Sequence, residues 1–251
     1  MTHFLVLFAL LSSSLTEFDL VKDPSFVLSF AEQLEREGDH FAAISEYKRY
    51  MYLMGEDVDS VLYKIAGIYQ KVGLYENAVD IMQRMKESGS RYRFELGRIY
   101  FLAGNYRQAR DSWEPLHRDT LTGLTLLREG NFQGAGELLG PIGTPPRKSP
   151  LLAGILSSAV PGSGRVYAGR AGDGIFSFLV TLGSGVIAYS YYRSDRNLPA
   201  LGFGALSAFL YLGEIYGSAN SSRIYNEKEE EDFVKAVEAQ IGLERLLEAE
   251  W

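Results

Sequence analysis

The sequence predicts an all-α protein: a repetitive helical solenoid, then a hairpin of two long apolar helices, then a charged C-terminal helix. Three observations carry this. One spacing of small, large and glycine residues recurs four times between residues 24 and 140. A Pro/Gly-rich break follows at 140–150. Beyond it lie two apolar runs, 174–192 and 198–217, each long enough to cross a bilayer core of ~30 Å.

The first element is the apolar run Phe4–Leu11, followed by Ser12, Ser13 and Ser14. It is too short to span a bilayer and has the length of a signal-peptide core, with small residues for cleavage. Residues 1–16 are therefore expected to be a signal peptide or N-terminal apolar segment, although Met1-Thr2-His3 brings no Lys or Arg.

The repeats occupy 24–140. Their spacing is small, x2, Leu or Tyr, x3, Gly, x4, Ala, x3, large. Ala31, Leu34, Gly38, Ala43 and Tyr47 fit it. So do Ala66, Tyr69, Gly73, Ala78 and Met82, then Gly97, Tyr100, Gly104, Ala109 and Trp113. Gly123, Leu126, Gly130, Ala135 and Leu139 make the fourth set. Gly38, Gly73, Gly104 and Gly130 fall in turns, where glycine accepts the left-handed conformation that ends a helix. The small residues let paired helices cross closely, and the large one fills the groove. This pattern resembles the tetratricopeptide repeat family, in about four copies. The resemblance implies a binding scaffold that takes a protein or peptide segment. Tyr47, Tyr50, Tyr52, Tyr69, Tyr92 and Tyr100 are candidates for its surface, or for the core between repeats.

Prolines and glycines at 141–150 interrupt any helix and mark a domain boundary. A membrane domain is expected over 151–222. Its apolar segment 151–160 is too short to span and reads as an interfacial helix. The spans 174–192 and 198–217 carry one charge between them, Glu214. Tyrosines gather towards both ends of the pair, as in an interfacial aromatic belt. Small residues recur every four positions (Ser177, Thr181, Gly185; Ala200, Gly204, Ala208), which allows close contact in lipid and a possible homo-oligomer through the hairpin. Residues 223–251 continue as a charged helix.

Between the interfacial segment and the first span lies the densest motif, with Pro161, Gly162, Gly164, Tyr167, Gly169, Arg170, Asp173 and Gly174. It lacks the Gly-Lys-Ser/Thr ending and preceding strand of a nucleotide loop. With Glu214 and the two spans, it resembles small bacterial domains of two transmembrane helices led by a glycine-rich loop. Closest are the variants preceded by tetratricopeptide repeats, which often accompany a membrane-protein insertion efficiency factor. The resemblance implies architecture and a link to envelope biogenesis. From the residues themselves, Asp173 is expected to cap the first span, and Arg170 or Arg165 to neutralise Glu214, which is costly in a membrane unless paired.

Composition narrows the function. The chain has 251 residues, 25 Lys+Arg, 32 Asp+Glu, 3 His and no Cys. No disulfide framework, thiolate metal site or Cys nucleophile is available, and the histidines lack ligand spacing. An acidic chain without a basic stripe is a poor nucleic-acid binder. The basic excess sits at 145–198, beside the apolar runs, which points to lipid headgroups. With no activated nucleophile or paired carboxylates in a recognisable frame, the expectation is no enzyme, no cofactor and no metal. The expected function is a membrane-anchored adaptor of the cell envelope, a scaffold for a protein partner. The alternative is a subunit of a small transport or pore assembly using the hairpin and Glu214. The expected location is the cytoplasmic (inner) membrane, with the repeats on the periplasmic or extracytoplasmic side. The positive-inside count opposes that side, since five basic residues flank the repeats' end of the spans and two (Arg193, Arg196) lie in the loop.

Overall fold

Glycines in the left-handed conformation punctuate the chain. The computed structural model describes residues 22–86 and 88–248, all-helical with no strand among the described residues. The expected signal segment 1–16 lies outside them. The described residues form two units: one comprises those through Pro141 together with Glu244–Glu248, the other Ile142–Leu243.

In unit 1 the helices are α1 (Pro24–Glu37), α2 (His40–Met54), α3 (Asp59–Lys71), α4 (Tyr75–Gln83), α5 (Ser90–Leu102), α6 (Tyr106–Trp113), α7 (Asp119–Arg128) and α8 (Phe132–Leu139). They pack as successive pairs, α1 on α2, α3 on α4, α5 on α6 and α7 on α8, and each pair touches the next. Four turns inside the pairs are copies of one another. Gly38, Gly73, Gly104 and Gly130 have φ of 83°, 78°, 79° and 76°. In each, the residue after the glycine donates to the carbonyl five positions back: Asp39 to Leu34, Leu74 to Tyr69, Asn105 to Tyr100, Asn131 to Leu126, at 2.8–2.9 Å. This is the bonding of a Schellman stop, which consumes carbonyls that the helix end would leave unpaired. Asp39 and Asn131 then cap the next helix through their side chains.

The small positions lie at the crossings. Ala31, Ala43, Ala78, Ala109 and Ala135 are fully buried. A Cβ built on Gly97 would stand 2.3 Å from the Trp113 ring nitrogen, and one on Gly123 would stand 2.6 Å from Leu139 Cγ. Trp113 is itself fixed, donating Nε1–H to the Phe94 carbonyl at 3.0 Å. Of the candidate surface tyrosines, Tyr47 is in the core and Tyr52 is exposed. Tyr50, Tyr69, Tyr92 and Tyr100 are half-buried. Tyr47 donates its hydroxyl to Glu35 at 2.6 Å; burial first, then this carboxylate, holds the phenol well above its ordinary range.

In unit 2 the helices are α9 (Pro150–Ala159), α10 (Ser163–Tyr167), α11 (Ala171–Arg193) and α12 (Asn197–Ile241); a short α13 (Leu243–Glu248) follows. α12 packs on α11, α9 and α10. The second apolar run and the charged segment after it are one unbroken 45-residue helix, so no helix boundary stands near 217–223. Its first stop is Gly242, with φ of 76°. The Pro/Gly segment is tied to this helix. The Asn226 side chain accepts from the Lys148 amide at 2.7 Å and donates to the Lys148 carbonyl at 2.8 Å. The Lys148 ammonium lies 3.8 Å from the Tyr225 ring centroid, and Arg147 pairs with Glu230 at 2.9 Å. The turn joining α11 to α12 repeats the Schellman bonding, with Arg196 donating to the Tyr191 carbonyl at 3.1 Å and Asp195 in the left-handed position at φ 56°.

Two glycine substitutions in unit 1 should act in opposite directions. Gly97→Ala forces a methyl into the Trp113 ring and should cost about 1–3 kcal/mol. Gly67 is also mid-helix, but a Cβ there meets nothing within 4 Å. Gly67→Ala should therefore stabilise by about 0.5–1 kcal/mol. Urea unfolding of the two variants measures both signs.

Candidate functional site

Unit 2 carries its polarity inside and its apolar surface outside. On α12 the buried residues between 207 and 222 are Glu214, Ser218, Ser221 and Ser222. Their spacing places them along one face. Large apolar residues of the same helix, among them Leu198, Leu201, Phe209 (74% exposed) and Leu212, face outward. On α11 the buried residues are Gly174, Thr181 and Ser184, while Ile175, Phe176, Leu179 and Val186 are exposed. The apolar stretches of α11 and α12 have mean hydropathies of 1.5 and 1.4, and only 17% and 6% of each is buried within the protein. Both helices are long and apolar enough to cross a membrane.

At the centre of the buried face is a charge pair. Arg165 on α10 donates Nε–H to both carboxylate oxygens of Glu214 on α12, at 3.0 and 2.9 Å. Glu214 is 3% exposed. Ser218, one turn on, donates to Glu214 Oε1 at 2.9 Å. The Ser218 hydroxyl also meets that of Ser157 on α9 at 2.6 Å, and Ser157 accepts the Gly164 amide at 3.0 Å. Three helices and the glycine loop are thus joined through one carboxylate. A buried ion of this kind is tolerated only where partners saturate it.

The glycine loop exists to let these groups meet. Pro161 and Gly162 turn the chain from α9 into α10. Gly162 and Gly174 stand backbone to backbone: a Cβ on Gly162 would lie 2.0 Å from the Gly174 carbonyl oxygen. A Cβ on Gly164 would lie 2.0 Å from the Ala153 carbonyl oxygen, and one on Gly217 would lie 2.5 Å from Arg165 Nη2. Tyr167 accepts the Ser149 amide through its hydroxyl at 3.1 Å, and Gly169, with φ of 87°, ends α10.

Of the two arginines expected to neutralise Glu214, Arg165 does so, while Arg170 pairs with Asp173 at 2.5 Å, three residues on in the same turn. One expectation is corrected. Asp173 does not cap α11, which begins at Ala171 with Arg170 in the N-cap position and no side chain capping it. Asp173 instead lies in the first helical turn, where a negative charge suits the helix dipole. Ser157 and Ser218 were missed. Ser218 had a signal, the four-residue spacing from Glu214; Ser157, in a short apolar helix, had none.

Unit 1 holds a groove of about 390 Å³ between α3 and α5, lined by Tyr63, Lys64, Gln70, Arg91, Glu95 and Arg98 among others. The Arg91 guanidinium lies 4.4 Å from the Tyr63 ring centroid. Arg98 binds Gln70 Oε1 at 3.1 Å and Glu95 Oε2 at 2.6 Å.

Among the described residues, no group of three or more His, Cys, Asp or Glu is placed to hold a metal ion. No protein-family model matches the chain, and no curated protein matches it.

Removing one half of the charge pair should hurt more than removing both. Glu214→Leu leaves the Arg165 guanidinium without its counter-ion and should cost about 3–5 kcal/mol. Combining it with Arg165→Leu should recover much of that loss, because an apolar pair needs no desolvation. Thermal unfolding in detergent of the two single variants and the double variant gives the comparison.

Proposed function

We propose that this chain is a non-catalytic, membrane-anchored adaptor. Unit 1 is a tetratricopeptide-type solenoid that binds a protein or peptide segment, and α11 and α12 form a hairpin across the cytoplasmic (inner) membrane. The observation that carries the anchoring is the reversed burial of unit 2, with Glu214 and serines inside and Phe209 and leucines outside. In water, so many large apolar side chains on adjacent helices would drive aggregation; in lipid they are solvated. The repeated Schellman turns and buried alanines support the solenoid.

An even number of spans keeps the repeats and the C-terminal segment on one side. That side is the periplasmic or extracytoplasmic one in this reading. Two of the basic residues that argue against it are neutralised locally, Arg165 by Glu214 and Arg170 by Asp173. Two donors already engage Glu214 through three hydrogen bonds, two from Arg165 Nε and one from Ser218, which favours a structural over a transport role. A place in membrane-protein insertion or envelope biogenesis follows from the family resemblance.

Membranes from a bacterial host expressing the full chain should retain it through alkaline carbonate extraction. Protease added to intact spheroplasts should digest the repeats. Release by carbonate would overturn the anchor; full protection of the repeats would reverse the sidedness.

A further inference from the structure

The segment before α11 runs along α12 and then turns back. Lys148, just ahead of α9, is held through its amide and its carbonyl by the Asn226 side chain. Further on, Ser157 meets Ser218, and the Ser158 carbonyl accepts the Tyr211 hydroxyl at 2.6 Å. Rising numbers on α9 thus meet falling numbers on α12, so α9 points towards the loop end of the α11–α12 pair. The chain turns at Pro161 and Gly162 and comes back as α10. The return closes where α9 began: a Cβ on Gly169 would lie 3.7 Å from Lys148 Nζ.

The turn of this small hairpin lies well inside the apolar runs. Pro161 shares a groove with Phe178, Thr181 and Leu182 of α11. At ~1.5 Å per residue, Phe178–Leu182 lie about 6–12 Å inside the start of the first run at Gly174. By the same measure Tyr211 lies about 9 Å inside the end of the second run at Gly217. Both helices therefore give one depth, about a third of a ~30 Å hydrocarbon core. The chemistry of the segment suits that depth. Between Lys148 and Arg170 the only charge is Arg165, which Glu214 neutralises. Leu151, Ile155, Val160 and Val166 are exposed. The hydroxyls near the turn are bonded internally: Ser158 donates to the Ile155 carbonyl, Ser163 to that of Val160 and Tyr211 to that of Ser158. Backbone that leaves the helical path at membrane depth needs such partners, because lipid offers none.

We infer that α9 and α10 form a re-entrant hairpin, sunk among the acyl chains of the leaflet at the Gly174–Gly217 end. Its outward face, Leu151, Ile155, Val160 and Val166, is a contact surface for those chains. A helix lying in the headgroup plane would hold all of α9 at one depth; here the depth increases along it. The hairpin thickens the protein in that leaflet and leaves the other to α11 and α12. The inference rests on the membrane anchor formed by α11 and α12 and deepens it by adding a further lipid-facing element.

The test uses the full chain in phospholipid vesicles, with a small fluorophore on a single introduced cysteine. Leu151→Cys, Ile155→Cys and Val160→Cys sample α9 from start to end, and any two report if the third fails to fold. Each is quenched in turn by lipids carrying a nitroxide on the headgroup or midway down the acyl chain. The chain-to-headgroup quenching ratio should rise about twofold or more from Leu151 to Val160, positions ~14 Å apart along the helix. An equal ratio at all positions, or quenching of the Val160 label by aqueous iodide, overturns the re-entrant hairpin. A label at Phe209→Cys separates the two readings. If it is still quenched by the acyl-chain nitroxide, the anchor stands without the hairpin; if it is not, both fall.

Discussion

A carboxylate buried between helices whose outer faces are leucine and phenylalanine must be matched where it stands. Glu214 is matched by Arg165 and Ser218, and everything around it follows from that demand. The guanidinium reaches the carboxylate only if it lies across α12 at Gly217, where a side chain would collide with it. α10 can bring Arg165 there only if it starts immediately after the turn at Pro161–Gly162. That turn fits only because Gly162 and Gly174 touch backbone to backbone. Gly162, Gly164 and Gly174 of the motif are thus close approaches to backbone around one ion pair, which no other residue permits, while Gly169 serves the left-handed stop after α10.

The two units have opposite burial patterns and share one local device. In unit 1, alanines and glycines at crossings let an apolar core close, and polar groups face out. In unit 2 the small polar residues line the contact between helices, and the apolar ones face out. Both end helices with the same left-handed stop, at Gly38, Gly73, Gly104 and Gly130 in one unit and at Gly169 and Asp195 in the other. The turn geometry is the same in both units; the placement of leucine and serine is not.

Much of this was legible in the sequence because it is local. A left-handed glycine with a large residue four back and an alanine five on is a helix stop and a crossing within one stretch of chain. The apolar runs were legible by length alone. The partner of Glu214 was legible only as a choice of two, because Arg165 and Arg170 lie five residues apart and only the path of α10 separates them. Arg170 was already claimed by Asp173, three residues on, a contact that forms within one helical turn. The end of α12 was also hidden. Between Gly217 and Gly242 the sequence changes from apolar to charged but contains no proline or glycine, and a change of polarity does not stop a helix. Ser157 looked like any small residue of an apolar segment until its hydroxyl was seen against Ser218.

The central claim is that the outer faces of α11 and α12 meet lipid while Glu214 and its serines face inward. The chain has no cysteine, so a single one can be introduced at Phe209 or Leu179 and labelled with a small fluorophore without background. In reconstituted vesicles, the account predicts strong quenching at both positions by nitroxide-bearing lipids and little by aqueous iodide. Quenching by iodide, with none from the lipid nitroxide, would contradict it.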